Sequence, residues 1–409
     1  MKLCIIGSGL TGLAAAYHLS DTADVEILER SPELGGCLSS YALGQKTTIE
    51  KFYHHCFSSD KYLFQLLEEL GINDRLEWLK GSTGYYVDGT IHPLTTPVEI
   101  LRYPHLTLID KIRLGLLVVG SRNVDAETLD DIPARDFVIR RCGEHAYASF
   151  FEPLLRSKFG DMHDQVSAAW LMSRVSIRSN RGVEGERLGY LNGGFQLLID
   201  RLEAHLQARG CTIRRETEAT SLERTDRGWQ VNGTPYDAVI STVSPATLQA
   251  MGGPELPPVP YQGAACMTLG LVREVTDGIY WVNMKGDAPY GAVIGHTNFV
   301  TDGRYGEHIV YLASYYRGSV PENLEARMLA DFRTRFGVAN TDIHWHRLAI
   351  EDAAGPVYTT GYRHLIQPYV KGGLYLAGMF SAPNYPERSM EGSIIAGRAV
   401  AQEVLGKIT

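Results

Sequence analysis

Gly7, Gly9 and Gly12 follow a short apolar run at residues 2–6, and an acid, Glu29, stands seventeen positions beyond Gly12. Glycines at this spacing let the backbone turn tightly, approach a pyrophosphate and pack a helix close to its strand, in that order. An acid at that distance can accept hydrogen bonds from a ribose hydroxyl pair. The chemistry is dinucleotide binding. Leu10 and Thr11 lie in the turn itself, where the free N–H groups and positive end of a helix face an anion. Arg30, next to the acid, would suit a 2′-phosphate. Gly35-Gly36, with Cys37 behind them, implies a second close backbone approach.

Other residues invite chemistry more weakly. His54, His55 and Cys56 are adjacent, but neighbours in a strand point to opposite faces, so they cannot easily share one ion. His344 and His346 share a face without a third ligand, and no metal site is expected. Arg156, Lys158, Arg174, Arg178, Arg181 and Arg187 gather in an otherwise acidic chain. They are either solvated surface or forks for an anionic substrate, with Arg156 and Arg187 the candidate contacts. Tyr280, Trp281, Tyr311, Tyr315 and Tyr316 supply core or pocket surface, and Tyr311 is a further candidate substrate contact.

A chain of 409 residues with 44% hydrophobic and 21% charged residues is long enough for two or three domains of ordinary globular composition. A net charge of −8 argues against a nucleic-acid partner. Six scattered cysteines without a C-x-x-C pair suit a reducing compartment. A strand beginning at Lys2 leaves no room for a signal peptide, and the apolar run at 114–119 is too short to cross a bilayer. The expectation is a soluble cytoplasmic protein acting on a small molecule, without a transmembrane segment. Its oligomeric state is open, a homodimer being one option.

The elements that must position these residues follow from periodicity and breakers. Residues 2–6, 13–19 and 25–29 read as strand, helix and strand around the glycine turn. A helix at 60–70 is closed by Gly71, and a hairpin at 85–91 turns at Asp88-Gly89. Helical segments follow near 110–119 and 134–141. The amphipathic stretch 106–119 carries only Asp110, Lys111 and Arg113 on its polar face, which favours a core-facing helix over a membrane-surface one. Gly193-Gly194-Phe195 opens a helix that ends at Gly210. Strands are expected at 211–214, 218–222, 229–231 and 237–242. Strands at 264–271, 279–284 and 309–315 suggest an antiparallel sheet flooring a pocket. Finally, a strand at 373–378 runs into glycine, and 385–399 turns into a helix.

Gly7 to Gly36, with the terminal block Gly378 to Gly397, resembles the glutathione-reductase-like FAD-binding fold in its amine oxidase, protoporphyrinogen oxidase and phytoene desaturase branch. The resemblance implies an α/β fold, with a Rossmann-like FAD-binding domain of residues 1–80, 188–250 and 350–409. An inserted α+β substrate domain, 81–187 and 251–349, would be an antiparallel sheet plus a helical cap. FAD is the implied cofactor, with Glu29 on the adenosine ribose, Gly35-Gly36 on the flavin side of the pyrophosphate and the Ala219 backbone at the adenine. Gly378, Met379, Ser389, Met390 and Glu391 would follow the ribityl chain and the pyrimidine edge.

The chain departs from that pattern in four places. Cys37 follows Gly-Gly where Arg, Lys or an apolar residue is usual, and Met379 replaces an Asp. Ser389 stands for a flanking aromatic, with Tyr385 four residues earlier as a substitute. Gly270 to Arg273 occupies the region of the active-site Lys. Residues 50–57 also resemble a segment of UDP-galactopyranose mutase, which would bring His54 or His55 near the isoalloxazine. Three functions are open. One is an FAD-dependent oxidase or dehydrogenase taking a hydride from C–N, C–O or C–C of a small or mid-sized polar or anionic substrate. The others are a mutase-like sugar-nucleotide isomerase using reduced FAD, and a flavin-bound protein without catalysis. His54, His55 and Tyr385 are the candidate catalytic residues.

Overall fold

The computed structural model describes residues 1–44, 47–121, 124–179 and 186–407; Arg181 and the side chain of Arg178, two members of the basic cluster, fall outside the described residues. Two sheets organise the chain. The first has the order Val370–Lys371, Leu374–Leu376, Ala238–Ser241, Lys2–Ile6, Asp24–Leu28 and Thr212–Arg214. All its neighbours are parallel except the antiparallel edge pair. Lys2–Ile6 lies inside it, flanked through Leu3↔Val25 and Leu3↔Ala238. Leu3, Cys4 and Ile5 are fully buried. A strand covered on both faces reads as a continuous apolar run rather than an alternation.

The two ends of the chain meet on this sheet. The helix Leu10–Leu19 lies along the closing helix Met390–Leu405, and a Cβ at Gly397 would run into the Thr11 carbonyl and the Ala14 methyl. Small residues at that crossing let both helix N-termini sit on one edge of the sheet.

The second sheet has the order Ile343–Pro356, Tyr261–Leu271, His308–Tyr316, Ala292–Gly295, Trp281–Met284, Thr83–Val87 and Thr90–Pro93. It is antiparallel except where Trp281–Met284 runs alongside Thr83–Val87. Its hairpin turns at Asp88 (φ 48) and Gly89 (φ 84), both left-handed, as a two-residue turn of this hand requires. Ile343–Pro356 pairs with Tyr261–Leu271 as far as Pro356↔Tyr261. The boundary expected at 350 therefore falls inside a strand. No Gly or Pro interrupts that strand before Gly355-Pro356, and the chain rejoins the parallel sheet only at Val370–Lys371.

Helices Pro97–Arg102, Leu108–Ser121, Ala134–Cys142, Glu152–Phe159 and Ala168–Ser179 cap one side of this sheet around a core that includes Phe137, Val138, Phe151, Trp170 and Leu171. Leu108–Ser121 differs from expectation. Leu114 and Leu117 are buried, but Leu108, Ile109, Ile112, Leu116 and Val119 are more than half exposed. Apolar residues here outnumber what one inward stripe can bury, so the helix is apolar on its outer face as well. His344 and His346 bond to Glu307 (2.8 Å) and Glu325 (3.3 Å) on separate elements. Among the described residues no cluster could hold a metal, and no helix is long and apolar enough to cross a membrane.

Candidate active site

At the opening turn Gly7 is left-handed (φ 100), and Gly9 begins the helix without any side-chain cap. The first helical N–H groups are thus not taken by a neighbouring side chain. A Cβ at Gly12 would collide with the Gly7 carbonyl, so this glycine serves packing. Gly35 N–H donates to the Ser8 carbonyl at 3.0 Å, and a Cβ at Gly36 would come within 3.3 Å of Gly9 Cα. Two glycine turns are therefore laid against each other. Beside them, the buried Glu29 carboxylate accepts from Ser8 N (2.9 Å), Ser8 Oγ (2.6 Å) and Ser31 N (2.9 Å). Arg30 meets both oxygens of Glu351 at 3.1 and 3.2 Å, so a carboxylate already answers its charge.

These turns open into one continuous cavity of about 1320 Å³ that extends to the second sheet and the helical cap. Gly7, Gly9, Leu10, Thr11, Glu29, Arg30, Gly35, Gly36 and Cys37 line it from the first end of the chain. Gly378, Met379, Ser389 and Met390 line it from the last, and Ala219 from the middle. Ser389 caps the closing helix, its hydroxyl accepting from Gly392 N at 2.9 Å. Glu391 turns away: its carboxylate accepts from Tyr62 N and Leu63 N at 2.9 and 2.8 Å, capping the helix Lys61–Glu69. Burial pushes the Cys37 thiol up to about 12, so the residue is a thiol and not a thiolate.

His54 and His55 both line the cavity. His54 Nδ1 lies 2.7 Å from the Phe52 carbonyl, which can only accept, so Nδ1 carries the proton and Nε2 the lone pair. Burial pulls this ring down to about 4, and it stays neutral near pH 7. His55 Nδ1 bonds to Tyr280 Oη at 3.1 Å. Tyr53 and Tyr315, also in the wall, share a hydroxyl contact of 3.1 Å.

Four other candidates lie elsewhere. Tyr385 is buried away from the cavity, donating to Asp130 at 2.7 Å and stacking on Tyr362. Arg156 is exposed and paired with Glu152 one helical turn away, and Arg187 is exposed on the strand Glu186–Leu191. Tyr311 is fully buried, its hydroxyl donating to the Glu50 carbonyl at 2.9 Å. It shares a strand face with Tyr315 but sits deeper in the core, where plain packing holds it.

Of the cations that line the cavity, Arg30 is paired with Glu351, Lys51 with Glu33 and Lys111 with the Leu101 carbonyl, whereas Lys158, Arg174 and Arg388 gather around Glu387. Lys158 and Arg174 converge on one oxygen of Glu387 at 3.4 and 3.3 Å, while its other oxygen has no hydrogen bond among the described residues. Burial pulls Lys158 down to about 7 against the attraction of Glu387. Glu387, despite its burial, is held below the usual carboxylate range by Lys158, Arg174 and Arg388. Both cations also face the Trp170 ring, at 5.0 and 5.9 Å. Arg388 makes no hydrogen bond or ion pair among the described residues and rests on Gly355, where a Cβ would fall 2.5 Å from its Nε. Lys158 and Arg174 belong to the basic cluster visible in sequence, but helical facing separates them from Arg156. Arg388 sits in the terminal motif, and what marks it is the lack of a hydrogen bond or ion pair among the described residues.

The description "Flavin containing amine oxidoreductase" fits a family model that matches residues 10–405. The chain belongs to this family. It is 24% identical over 278 residues to the coproporphyrinogen III oxidase of Mycobacterium tuberculosis, covering 59% of this chain but only 58% of that relative's length. A putative protoporphyrinogen oxidase from Exiguobacterium superposes with a TM-score of 0.78 at 20% identity, covering 99% of both chains. Reduced UDP-galactopyranose mutase does so with a TM-score of 0.76 at 18% identity, covering 99% of this chain and 96% of that one. These likenesses share the fold, a Rossmann-like FAD-binding architecture, and the family cofactor is FAD. The groove fits it: an uncapped helix N-terminus, two opposed glycine turns and a pre-oriented carboxylate are what a pyrophosphate and a ribose require.

Proposed function

We propose that this flavoprotein family member is an FAD-dependent oxidase or dehydrogenase that takes a hydride from a C–N, C–O or C–C centre of an anionic substrate. One observation carries the choice of substrate charge: Arg388 lines the cavity with no hydrogen bond or ion pair among the described residues, immediately before the cap of the closing helix, and with Lys158 and Arg174 it outnumbers the one carboxylate among them, Glu387. A guanidinium left open in a cavity wall is suited to a carboxylate or phosphate on the ligand.

In this assignment the parallel sheet and both chain ends hold the cofactor, and the antiparallel sheet with its cap holds the substrate. Gly9 and Gly36 would take the pyrophosphate, Glu29 the ribose, the Ala219 backbone the adenine, and Gly378, Met379 and Met390 the flavin end. Bound FAD supplies the hydride acceptor. The protein's part is to fix the substrate's reacting C–H bond about 3 to 3.5 Å from that acceptor and to keep water out. Arg388 and Arg174 orient the anion. Neutral His54, with its lone pair at Nε2, can accept a hydrogen bond from the ligand; a ring pulled down to about 4 does not keep a proton near pH 7. The free thiols Cys4, Cys37, Cys56, Cys142, Cys211 and Cys266 suit a cytoplasmic setting.

Anaerobic bleaching of the FAD-loaded protein by carboxylates, phosphates and amines tests this. Anionic compounds should reduce the flavin, and Arg388→Gln should slow them while sparing neutral ones. Bleaching by cationic amines alone would overturn the assignment. A mutase-like reaction draws on the same cations and on His54 and His55 both lining the cavity. It would show turnover of a sugar nucleotide only after prior reduction, with no bleaching.

A further inference from the structure

The substrate side of the cavity changes character along its length. One end carries Lys158, Arg174 and Arg388 around a single carboxylate, Glu387, which pairs with the first two and leaves an excess of positive charge. Outward from there the wall is apolar, built from Leu94, Ile100, Leu114, Val118, Leu154 and Leu171. Lys111 is the cation of this outer arm, and its ammonium is bound to the Leu101 carbonyl at 2.8 Å. Among the described residues of helices Pro97–Arg102 and Leu108–Ser121, no Asp or Glu lines the arm. Leu101 and Val119 line the cavity and are nonetheless 59% and 67% exposed, so the apolar wall reaches the surface between these two helices. Gly115, inside the second helix, also lines the cavity, and a Cβ added there would meet nothing within 4 Å. A glycine disfavours a helix interior, and here it leaves the mouth open.

A small polar substrate would gain nothing from so long an apolar wall. We propose that the ligand is an amphiphile, with an anionic group at Lys158, Arg174 and Arg388 and an apolar chain running out between helices Pro97–Arg102 and Leu108–Ser121. The assignment rests on the oxidoreductase reading for the position of the cofactor, and it deepens that reading by naming the substrate class. Head and tail make separable contributions. Each methylene buried in the arm adds hydrophobic transfer free energy, whereas the head adds a charge-assisted contact that does not depend on length.

The test is calorimetric titration of the FAD-loaded protein with butyrate, octanoate and dodecanoate, and with dodecyltrimethylammonium. Affinity should rise about two- to fourfold per methylene until the arm is full. The cationic amphiphile should bind at least about tenfold more weakly than dodecanoate. Gly115→Phe should flatten the dependence on length while short carboxylates bind as before. Arg174→Gln should weaken all lengths by about tenfold or more and keep the slope. Affinity that is flat with length, indifference to head charge, or an unchanged slope in Gly115→Phe would each overturn the proposal. Binding is read here without turnover, so a carboxylate that binds but fails to bleach the flavin counts against the oxidase reading and leaves the amphiphile site standing.

Discussion

Replacing Glu29 by Gln removes one charge and changes almost no volume at the turn where the two glycine loops meet. The carboxylate accepts three hydrogen bonds, two from Ser8 and one from Ser31, and its remaining acceptor capacity faces the cavity. A glutamine must turn its NH2 toward one of these donors. The cheaper orientation keeps both Ser8 bonds and sets two donors face to face at Ser31. An unmet buried donor costs about 1–3 kcal/mol, so unfolding should occur at a lower temperature. At the cavity, the ribose hydroxyls lose a charged acceptor worth about 1.5–3 kcal/mol. At about 1.4 kcal/mol per factor of ten, the FAD Kd should rise roughly 10- to 150-fold. Titrating apoprotein with FAD and following the quenching of flavin fluorescence measures Kd, and thermal unfolding of the same apoprotein measures the bracing role. A lowered Tm with Kd within about twofold of wild type would refute the ribose assignment. Glu29 would then only brace the turn.

Two further outcomes are expected. Because burial lowers Lys158 to about 7, its charge is present below that value and is lost as pH rises through it. Glu387, held below the usual carboxylate range, and Arg388, held above the usual guanidinium value, face it and keep their charges across the same window, with Arg174 beside them on Glu387. Binding of an anion that requires the ammonium should therefore weaken about tenfold between pH 6 and pH 8. Lys158→Arg should flatten that dependence, and a profile unchanged by the substitution would remove Lys158 from the anion site. Tyr385→Phe deletes the bond to Asp130 and should cost about 1–3 kcal/mol in unfolding free energy while flavin bleaching proceeds at the wild-type rate. A lost rate with stability intact would return Tyr385 to catalysis.

The sequence by itself determined the parts whose chemistry is local. A strand, a glycine turn, a helix and a strand ending in an acid are contiguous, and each glycine has a backbone reason confined to a few residues. The same holds for the hairpin at Asp88-Gly89 and for the closing strand and helix. The family resemblance followed from those blocks. What the sequence could not decide was which side chains share a space. Arg156 and Lys158 are two residues apart, yet helical rotation sends one to solvent and the other to the cavity. Tyr385 and Arg388 are three apart, yet one is tied to Asp130 in the cap's core and the other stands open in the cavity wall. Glu391 sits in a cofactor-like motif, but its carboxylate is taken by the N–H groups of a helix more than three hundred residues away in sequence. The exposed apolar face of Leu108–Ser121 and the arm beneath it depend on how five helices pack over a sheet. Side-chain facing and cavity shape are long-range results of packing, and no local spacing encodes them.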